Sequence, residues 1–166
     1  MPAHGTPAID VLRRAGVVFE VVEYESPEPH GRDRTARPSY GLEAAAAMGV
    51  DPGRMFKTLI ATADTRLVAG LVPVAGELDL KRLASAVGAR KAVLAEPAAA
   101  ERATGYVVGG ISPLGGRRTL PTVIDRSVVG HETVYVSAGR RGLQLVLRPA
   151  DLVHLTTAIV ADIARS

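Results

Sequence analysis

Two apolar segments separated by a tight turn restrict the fold of this chain more than any other feature. KTLIATAD (residues 57–64) and RLVAGLVPV (residues 66–74) are rich in residues favoured in strands, and Asp64-Thr65 fits the turn between them. Strands this close in sequence pair antiparallel as a hairpin. The chain is therefore predicted to contain a mixed sheet, which argues against a doubly wound parallel one.

Helical signals alternate with further strand-like segments along the rest of the chain. Thr6 followed by Pro7 is typical of a helix start, and Gly16 is typical of its end. We predict helices at residues 7–15, 42–48, 78–88 and 97–103 and from Pro149 onward, and further strands at residues 17–24, 92–94, 122–125, 133–137 and 143–148. This alternation predicts a mixed α/β fold. Because 47% of the 166 residues are hydrophobic, the chain has enough apolar material for one core, and we expect a single domain over residues 1–166.

Composition argues against several classes of site. The chain has no cysteine, which excludes disulfides and thiolate metal sites. Its histidines, His4, His30, His131 and His154, lack the spacing of metal ligands, so we expect no metal and no cofactor. No apolar segment approaches the ~20 residues of a membrane helix, and no signal-peptide pattern is present. We therefore expect a soluble, cytoplasmic protein without membrane association.

Positive charge is concentrated in the second half of the chain. Residues 81–149 contain eleven basic and four acidic residues, whereas the rest contains nine basic and thirteen acidic ones. One basic face on an otherwise acidic domain attracts phosphate groups, even though the formal net charge is only +3. The competing interpretation is an ordinary solvated surface, since arginine is common there.

The stretch GYVVGGISPLGG, residues 105–116, is a candidate binding loop because five glycines and Pro113 interrupt its apolar residues. It matches neither the dinucleotide nor the P-loop fingerprint. Glycines let a ligand approach the backbone and leave N–H groups free for an anion or a carbonyl oxygen. A tight corner between strands would use glycine for its conformational freedom alone. Both interpretations fit the composition.

Lys57 differs from most basic residues of the chain, because seventeen of the twenty are arginines. It begins the apolar strand FKTLIA, where partial burial would lower its pKa. Lysine places a compact charge and can lose its proton, which arginine cannot. The alternative is a lysine whose stem packs on the sheet edge while its ammonium group reaches water.

Six segments occur in the order and at the spacing typical of one family. They are TPAIDVL, MFKTLIA, LVPVAGELDLKRLA, TGYVVGGISPLG, LPTVID and YVSAGRRGL. On these segments the chain, from Thr6 to about Ala164, resembles the YbaK/EbsC family of aminoacyl-tRNA deacylases, which are similar to the editing domain of bacterial prolyl-tRNA synthetases. The resemblance is greatest to the YbaK branch, whose members remove cysteine wrongly attached to proline tRNA.

The resemblance implies a fold, an activity and a set of site residues. The family fold is a barrel-like mixed β-sheet surrounded by helices, and the implied activity is trans-editing hydrolysis of mischarged Cys-tRNA(Pro), in which the thiol of the substrate attacks its own ester. Lys57 is the implied catalytic residue, stabilising charge on the ester or binding the terminal ribose and phosphate. The implied substrate-binding residues are Tyr24, Thr58, Gly109, Gly110, Ser112, Pro113, Gly115 and Ser137. Lys57 and the turn at residues 110–115 are expected to face one small cavity.

The expected partner is the acceptor end of tRNA, and a prolyl-tRNA synthetase is a candidate second partner. Two departures from the branch leave the amino acid open. Gln144 stands where the branch has aspartate after R-G-L, and the loop at residues 26–40, with Arg32, Arg34 and Arg37, is longer than expected. The alternatives are a deacylase for alanine or serine on tRNA, and a catalytically silent relative that binds tRNA or a synthetase.

Overall fold

The computed structural model describes residues 5–25 and 40–166 of the chain. Within these ranges the α-helices are α1 (Pro7–Ala15), α2 (Tyr40–Met48), α3 (Leu80–Ala86), α4 (Pro97–Thr104) and α5 (Pro149–Thr156). The strands in the same ranges are β1 (Phe19–Glu23), β2 (Phe56–Ala63), β3 (Arg66–Pro73), β4 (Glu77–Leu78), β5 (Ala92–Leu94), β6 (Thr122–Asp125), β7 (Val134–Ser137), β8 (Leu143–Leu147), β9 (Ile159–Ala161) and β10 (Ala164–Arg165). Helices and strands thus alternate as predicted.

The predicted hairpin forms the centre of the largest sheet. β2 and β3 pair antiparallel from Phe56 opposite Pro73 to Ala63 opposite Arg66, and Asp64 in the turn has a φ of 55°. The five-stranded sheet has the order β5-β2-β3-β6-β9, in which β5 is antiparallel to β2 while β6 and β9 are added in parallel. The predicted mixed α/β class is therefore confirmed.

The other strands form a three-stranded antiparallel sheet, β1-β8-β7, and a small pair, β10-β4. An isolated parallel bridge between Met55 and Tyr135 joins β7 to the residue before β2. The same junction contains a hydrogen bond of 3.1 Å from the N–H of Tyr135 to the carbonyl oxygen of Arg54. Within the described ranges the sheets do not close into a barrel, which corrects the barrel-like sheet of the expected architecture.

β2 separates two hydrophobic cores, because successive side chains of a strand point to opposite faces. Phe56 and Ile60 pack into the larger core together with α1 and β8, whereas Ala61 packs into a second core with α3. Thr58 therefore shares the face of Phe56 and Ile60. Lys57 lies on the opposite face, that of Ala61.

α1 anchors the turn that follows β7. Thr6 begins the helix as predicted, since its hydroxyl oxygen accepts the N–H of Ile9 at 3.2 Å. The same hydroxyl donates to the carbonyl oxygen of Ala138 at 2.6 Å. Ile9 and Leu12 are buried in the larger core, and Gly16 ends the helix in the left-handed conformation, with a φ of 70°.

The C-terminal end differs from the prediction, because β9 and β10 follow α5 instead of a longer helix. Asp125 fixes the second of these strands: its Oδ1 accepts the N–H groups of Ile163 at 3.0 Å and Ala164 at 2.9 Å. Burial alone would raise the pKa of this carboxyl, but hydrogen bonds to the carboxylate outweigh it and lower the pKa.

α3 is shorter than the helix predicted from the sequence. The predicted helix at residues 78–88 begins later, at Leu80, because Asp79 caps it by accepting the N–H of Arg82 at 3.1 Å, while Leu78 ends β4. The predicted loop at residues 26–40 lies outside the described ranges except for Tyr40, which begins α2.

Candidate active site

Lys57 lies near the start of β2, where the five-stranded sheet meets the three-stranded one. Its side chain is half-buried. Burial lowers the pKa of its ammonium group below the ordinary value, and the Glu77 carboxylate opposes part of that shift. An incompletely solvated cation interacts more strongly with negative charge that develops beside it, so this environment suits the catalytic role predicted for Lys57.

Ser137 lies on the same side of the junction as Lys57. Met55 and Tyr135 are bridged in parallel, and Lys57 and Ser137 each follow two residues later, so their side chains point to the face shared by the bridged pair. The Ser137 hydroxyl donates to the carbonyl oxygen of Gly110 at 3.0 Å and accepts the N–H of Gly139 at 3.1 Å. The middle of the glycine-rich loop (residues 105–116) is thereby fixed beside the strand that carries Ser137.

Tyr24 follows β1 and packs on this face as well. Its ring and that of Tyr135 contact the small hydrophobic cluster that contains Met55. Its N–H donates to the carbonyl oxygen of Gly142 at 3.0 Å. Tyr24 also borders an open depression of about 480 Å³, together with neighbouring charged residues that include Glu23 and Arg141.

Glycine is required in the loop because other parts of the backbone pass close to it. A Cβ added at Gly110 would lie 2.7 Å from the Cα of Arg140, and one added at Gly115, where φ is 74°, would lie 2.5 Å from the carbonyl carbon of Pro7. The N–H of Gly110 donates to the carbonyl oxygen of Val107 at 2.9 Å, so this group is not free for a ligand. Internal packing thus accounts for these two glycines, and their contact with substrate stays a prediction.

Gly109 lies between the side chains of Tyr40 and Arg141, whose proximity was not predicted from the sequence. A Cβ at this position, where φ is 95°, would approach the ring of Tyr40 to 3.0 Å and the Cδ of Arg141 to 3.2 Å. The guanidinium carbon of Arg141 stands 4.7 Å from the centre of the Tyr40 ring, a cation–π contact. The Nη1 of Arg141 is buried and has no hydrogen-bond partner among the described residues. The sequence showed only that Arg141 belongs to a basic segment; it did not show that Arg141 lies beside the loop.

A separate cavity of about 290 Å³ lies on the other face of β2. It is bordered by Ile60 and by the polar side chain of Thr58, whose buried hydroxyl has no hydrogen-bond partner among the described residues. Five consecutive residues of the loop, 112–116, also line it, and they include the predicted site residues Ser112, Pro113 and Gly115. Ser112 is buried, and its hydroxyl oxygen accepts the N–H of Leu114 at 3.3 Å.

The structure therefore divides the predicted site residues between two faces of β2. Lys57 does not line the cavity on the Thr58 face, so the expectation of one cavity shared by Lys57 and residues 110–115 is not met as stated. Gly110 is held at the Lys57 face through Ser137, whereas the later part of the loop passes to the other face. The predicted roles of individual residues stay predictions.

Gln144 is a polar residue that the sequence identified only as a departure from a family pattern. It lies directly opposite Ser137 in the β7–β8 pair and opposite Val22 in the β1–β8 pair. Its side chain is buried, with 7% of its surface exposed, and its Oε1 has no hydrogen-bond partner among the described residues. A buried acceptor without a partner is uncommon and calls for a physical explanation.

Neither a metal centre nor a membrane span was found in the part of the chain that the structure describes. Residues 5–25 and 40–166 contain no group of three or more His, Asp or Glu side chains arranged to hold a metal ion. No helix within the same residues has the length and apolar character needed to cross a membrane.

Comparison with known proteins identifies the class of domain. Residues 38–155 match the model of the aminoacyl-tRNA editing domain. A protein of Enterococcus faecalis named as a candidate Cys-tRNA(Pro)/Cys-tRNA(Cys) deacylase, EbsC, is 38% identical over 120 residues, which are 72% of this chain and 73% of the relative. A proline–tRNA ligase of Moorella thermoacetica is 31% identical over 126 residues, which are 76% of this chain but only 22% of the ligase.

The fold leads to the same class. A solved structure described as a candidate trans-editing enzyme for prolyl-tRNA synthetase superposes with a TM-score of 0.81 at 26% identity, covering 100% of this chain and 99% of the other. The chain belongs to the aminoacyl-tRNA editing domain family, so the resemblance seen in the sequence is confirmed. The class of enzyme predicted with it, an aminoacyl-tRNA deacylase whose substrate is a tRNA, is confirmed too.

Proposed function

We propose that this protein is a trans-editing hydrolase that removes cysteine from mischarged Cys-tRNA(Pro). The observation that carries the proposal is the 38% identity with EbsC over most of both chains. The half-buried Lys57, placed on the face of Ser137 beside the glycine-rich loop, supports it because an activated ester needs mainly positioning and charge stabilisation.

The proposed chemistry needs no nucleophile from the protein, which has no cysteine of its own. The thiol sulfur of the substrate forms a bond to its own ester carbonyl carbon, and the bond from that carbon to the ribose oxygen breaks. The thiol proton passes to the ribose oxygen, so the products are free tRNA and a thiolactone that water then opens. Lys57 stabilises the negative charge that forms on the carbonyl oxygen during attack.

A second candidate function is deacylation of alanine or serine from tRNA by the same site. The neutral Gln144, which stands where the YbaK branch has an aspartate, supports this candidate because an amide both donates and accepts hydrogen bonds and so suits the hydroxyl group of a serine ester. For these esters the attacking group would be water, since alanine and serine have no thiol.

The remaining parts of the proposal concern the binding partners of the protein and its location in the cell. Arg141, with a buried nitrogen that has no hydrogen-bond partner among the described residues, is proposed to contact a phosphate near the acceptor end of the tRNA. We further propose that residues 1–166 act as a single domain in the cytoplasm, and that a prolyl-tRNA synthetase presents the mischarged tRNA to it.

The test is hydrolysis of proline tRNA loaded with cysteine, alanine or serine, by the wild type and by Lys57→Ala. Rapid loss of the cysteine ester alone is the expected result, and it should fall by at least about a hundredfold in the variant, since removing one charge-stabilising donor costs about that much. Lys91→Ala is the matched control, because Lys91 has an exposed side chain. Loss of the alanine or serine ester would favour the second candidate, and tRNA binding without hydrolysis would refute both.

A further inference from the structure

The short strand β4 folds back over the face of the central hairpin that carries Lys57. Lys57 lies directly opposite Val72 on β3, and Gly70 lies two residues earlier on the same strand, so all three share one face. Leu78 of β4 packs above Gly70, because a Cβ added at Gly70 would lie 3.2 Å from the Cδ1 of Leu78. Since the chain reverses between β3 and β4, Glu77, the residue before Leu78, lies towards the Lys57 end of this face.

The C-terminal strand β10 borders Glu77 on its other side. Glu77 lies directly opposite Arg165 in the β4–β10 pair, and its Oε2 is 3.5 Å from the Nη2 of Arg165. Both side chains are exposed, with 67% of the Glu77 side chain and 62% of the Arg165 side chain open to solvent. The backbones also meet here, since a Cβ added at Gly76 would lie 2.8 Å from the carbonyl oxygen of Arg165. The carboxylate of Glu77 is therefore attracted by two cations, Arg165 and Lys57.

β10 is held in place by two other elements, although chain ends commonly fray. Asp125 at the end of β6 accepts the N–H groups of Ile163 and Ala164. Arg82 of α3 donates from its Nη1 to the carbonyl oxygen of Ala164 at 3.2 Å. The position of Arg165 beside Glu77 is thus fixed by contacts that do not involve the ion pair itself.

We propose that Glu77 is a positioning residue for Lys57, which keeps the lysine charged, and that Arg165 shares the carboxylate so that the ammonium group stays available to the ester. The proposal rests on the proposed function of Lys57. Burial opposes the charged form of Lys57, and the Glu77 carboxylate favours it. A carboxylate without a second cation would attract the ammonium group more strongly and weaken its action on the ester oxygen. The pair with Arg165 limits that attraction.

Other charged and titratable groups lie on the elements around this face. They are Tyr24 after β1, Glu43 on α2, Arg54 before β2, Tyr135 on β7, and Asp79 and Arg82 at α3. Among the described residues, the pKa of Lys57 reflects two causes: burial, which lowers it, and the charge of Glu77, which raises it. A change in the titration of Lys57 therefore reports on Glu77 in particular.

The test is the titration of the lysine side chains, followed by NMR of protein labelled at lysine Cε. The chain has three lysines, so it gives three signals, and the signal lost in Lys57→Met belongs to Lys57. Glu77→Gln should move the titration midpoint of Lys57 to lower pH, because an attraction that favours the charged form is lost. Arg165→Gln should move it to higher pH, because Glu77 loses its other partner. Lys91 is the internal reference, since its N–H binds Asp64 at the far end of the hairpin.

The pH profile of kcat/KM should change in a matching way, once spontaneous ester hydrolysis is subtracted. Glu77→Gln should lower kcat/KM roughly two- to fivefold on the alkaline side, which is the effect of one exposed charge. Arg165→Gln should move the alkaline limb to higher pH but lower the plateau by a similar factor, because Glu77 then holds the ammonium group. Asp162→Asn is the matched control: Asp162 is 70% exposed and pairs with Arg126 at 3.4 Å, and its loss removes the same charge.

Two results would overturn the proposal: a Lys57 midpoint that Glu77→Gln leaves unchanged, and an equal decrease in Asp162→Asn. The shift caused by Arg165→Gln should shrink in a Glu77→Gln background, and an undiminished shift would show that Arg165 does not act through Glu77. If Glu77→Gln does not fold, Glu77→Asp withdraws the carboxylate by one methylene group, and the proposal then requires a midpoint below that of the wild type.

The titration needs no hydrolysis, so it separates this proposal from the proposed function. A Lys57 midpoint that moves as expected, in a protein that hydrolyses no aminoacyl ester, would support the positioning of Lys57 by Glu77 and refute the proposed function. Hydrolysis that requires Lys57, with a midpoint independent of Glu77, would do the reverse. Absence of both hydrolysis and the expected shifts would refute both.

Discussion

The close approach of the glycine-rich loop to α1 predicts a large loss of stability for Gly115→Ala. Gly115 has a φ of 74°, and an added Cβ would lie 2.5 Å from the carbonyl carbon of Pro7 and 2.7 Å from the nitrogen of Ala8. Alanine in the left-handed conformation costs about 1–2 kcal/mol. Overpacking against a helix start that cannot move freely adds roughly 1–3 kcal/mol. The expected decrease in the free energy of unfolding is therefore about 2–5 kcal/mol.

Two other glycines separate these contributions. Gly88 has a φ of 72°, but an added Cβ there would meet nothing within 4 Å, so Gly88→Ala should show only the backbone cost of about 1–2 kcal/mol. Gly116 is the neighbour in sequence, and its added Cβ would approach only to 3.4 Å, at the carbonyl oxygen of Arg118. Gly116→Ala should therefore change stability by less than about 0.5 kcal/mol.

Urea denaturation of the three variants gives the free energies, and thermal unfolding checks them. A domain of this size loses about 2–4 °C in Tm per kcal/mol, so Gly115→Ala should lower Tm by roughly 4–20 °C. If Gly115→Ala and Gly88→Ala lose the same stability, contact with α1 is not what requires glycine at position 115. The close approach of a ligand to the loop backbone would then be the better explanation for glycine at position 115.

The other predictions concern charge. Because the folded-state pKa of Lys57 is lowered, its charged form destabilises the fold below that pKa, and this penalty disappears as pH rises towards the ordinary value of 10.5. Lys57→Met should therefore raise Tm at pH 7 while abolishing activity. A gain in Tm that does not shrink at higher pH would contradict the reasoning. If Arg141 contacts a tRNA phosphate, Arg141→Gln should weaken tRNA binding and reduce the slope of log K against log salt by about one, whereas the exposed Arg13→Gln should leave the slope unchanged. An unaltered slope in Arg141→Gln would remove that residue from the interface.

The elements that the sequence predicted correctly are those with local signals. Thr6-Pro7 and Gly16 marked both ends of α1, and Asp64 marked the turn of the central hairpin. β9 and β10 were missed because β10 is held by Asp125, a carboxylate far away in sequence, and short exposed strands have no periodicity of their own.

The site was predictable in part, for a related reason. Lys57 attracted notice by residue type and position, both of which are visible in the sequence. The opposite orientation of Thr58 also follows from strand alternation, so the sequence alone is enough to assign these two neighbours to different faces of β2. The unsatisfied oxygen of Gln144 and the position of Arg141 over Tyr40 depend on contacts between distant segments, which one sequence does not reveal.

Another set of contacts between distant segments forms a closed ring, which explains how a loop with so little regular structure is held in place. Thr6 of α1 binds the carbonyl group of Ala138 after β7, and Ser137, one residue earlier, binds the carbonyl group of Gly110. The loop then returns to α1, where Gly115 touches the first residues of the helix. Because each contact restricts the next, the loop is ordered before substrate arrives, and binding need not supply that ordering. The glycines that permit these close backbone contacts therefore help to hold the loop in position at the Lys57 face, even where they contact no ligand.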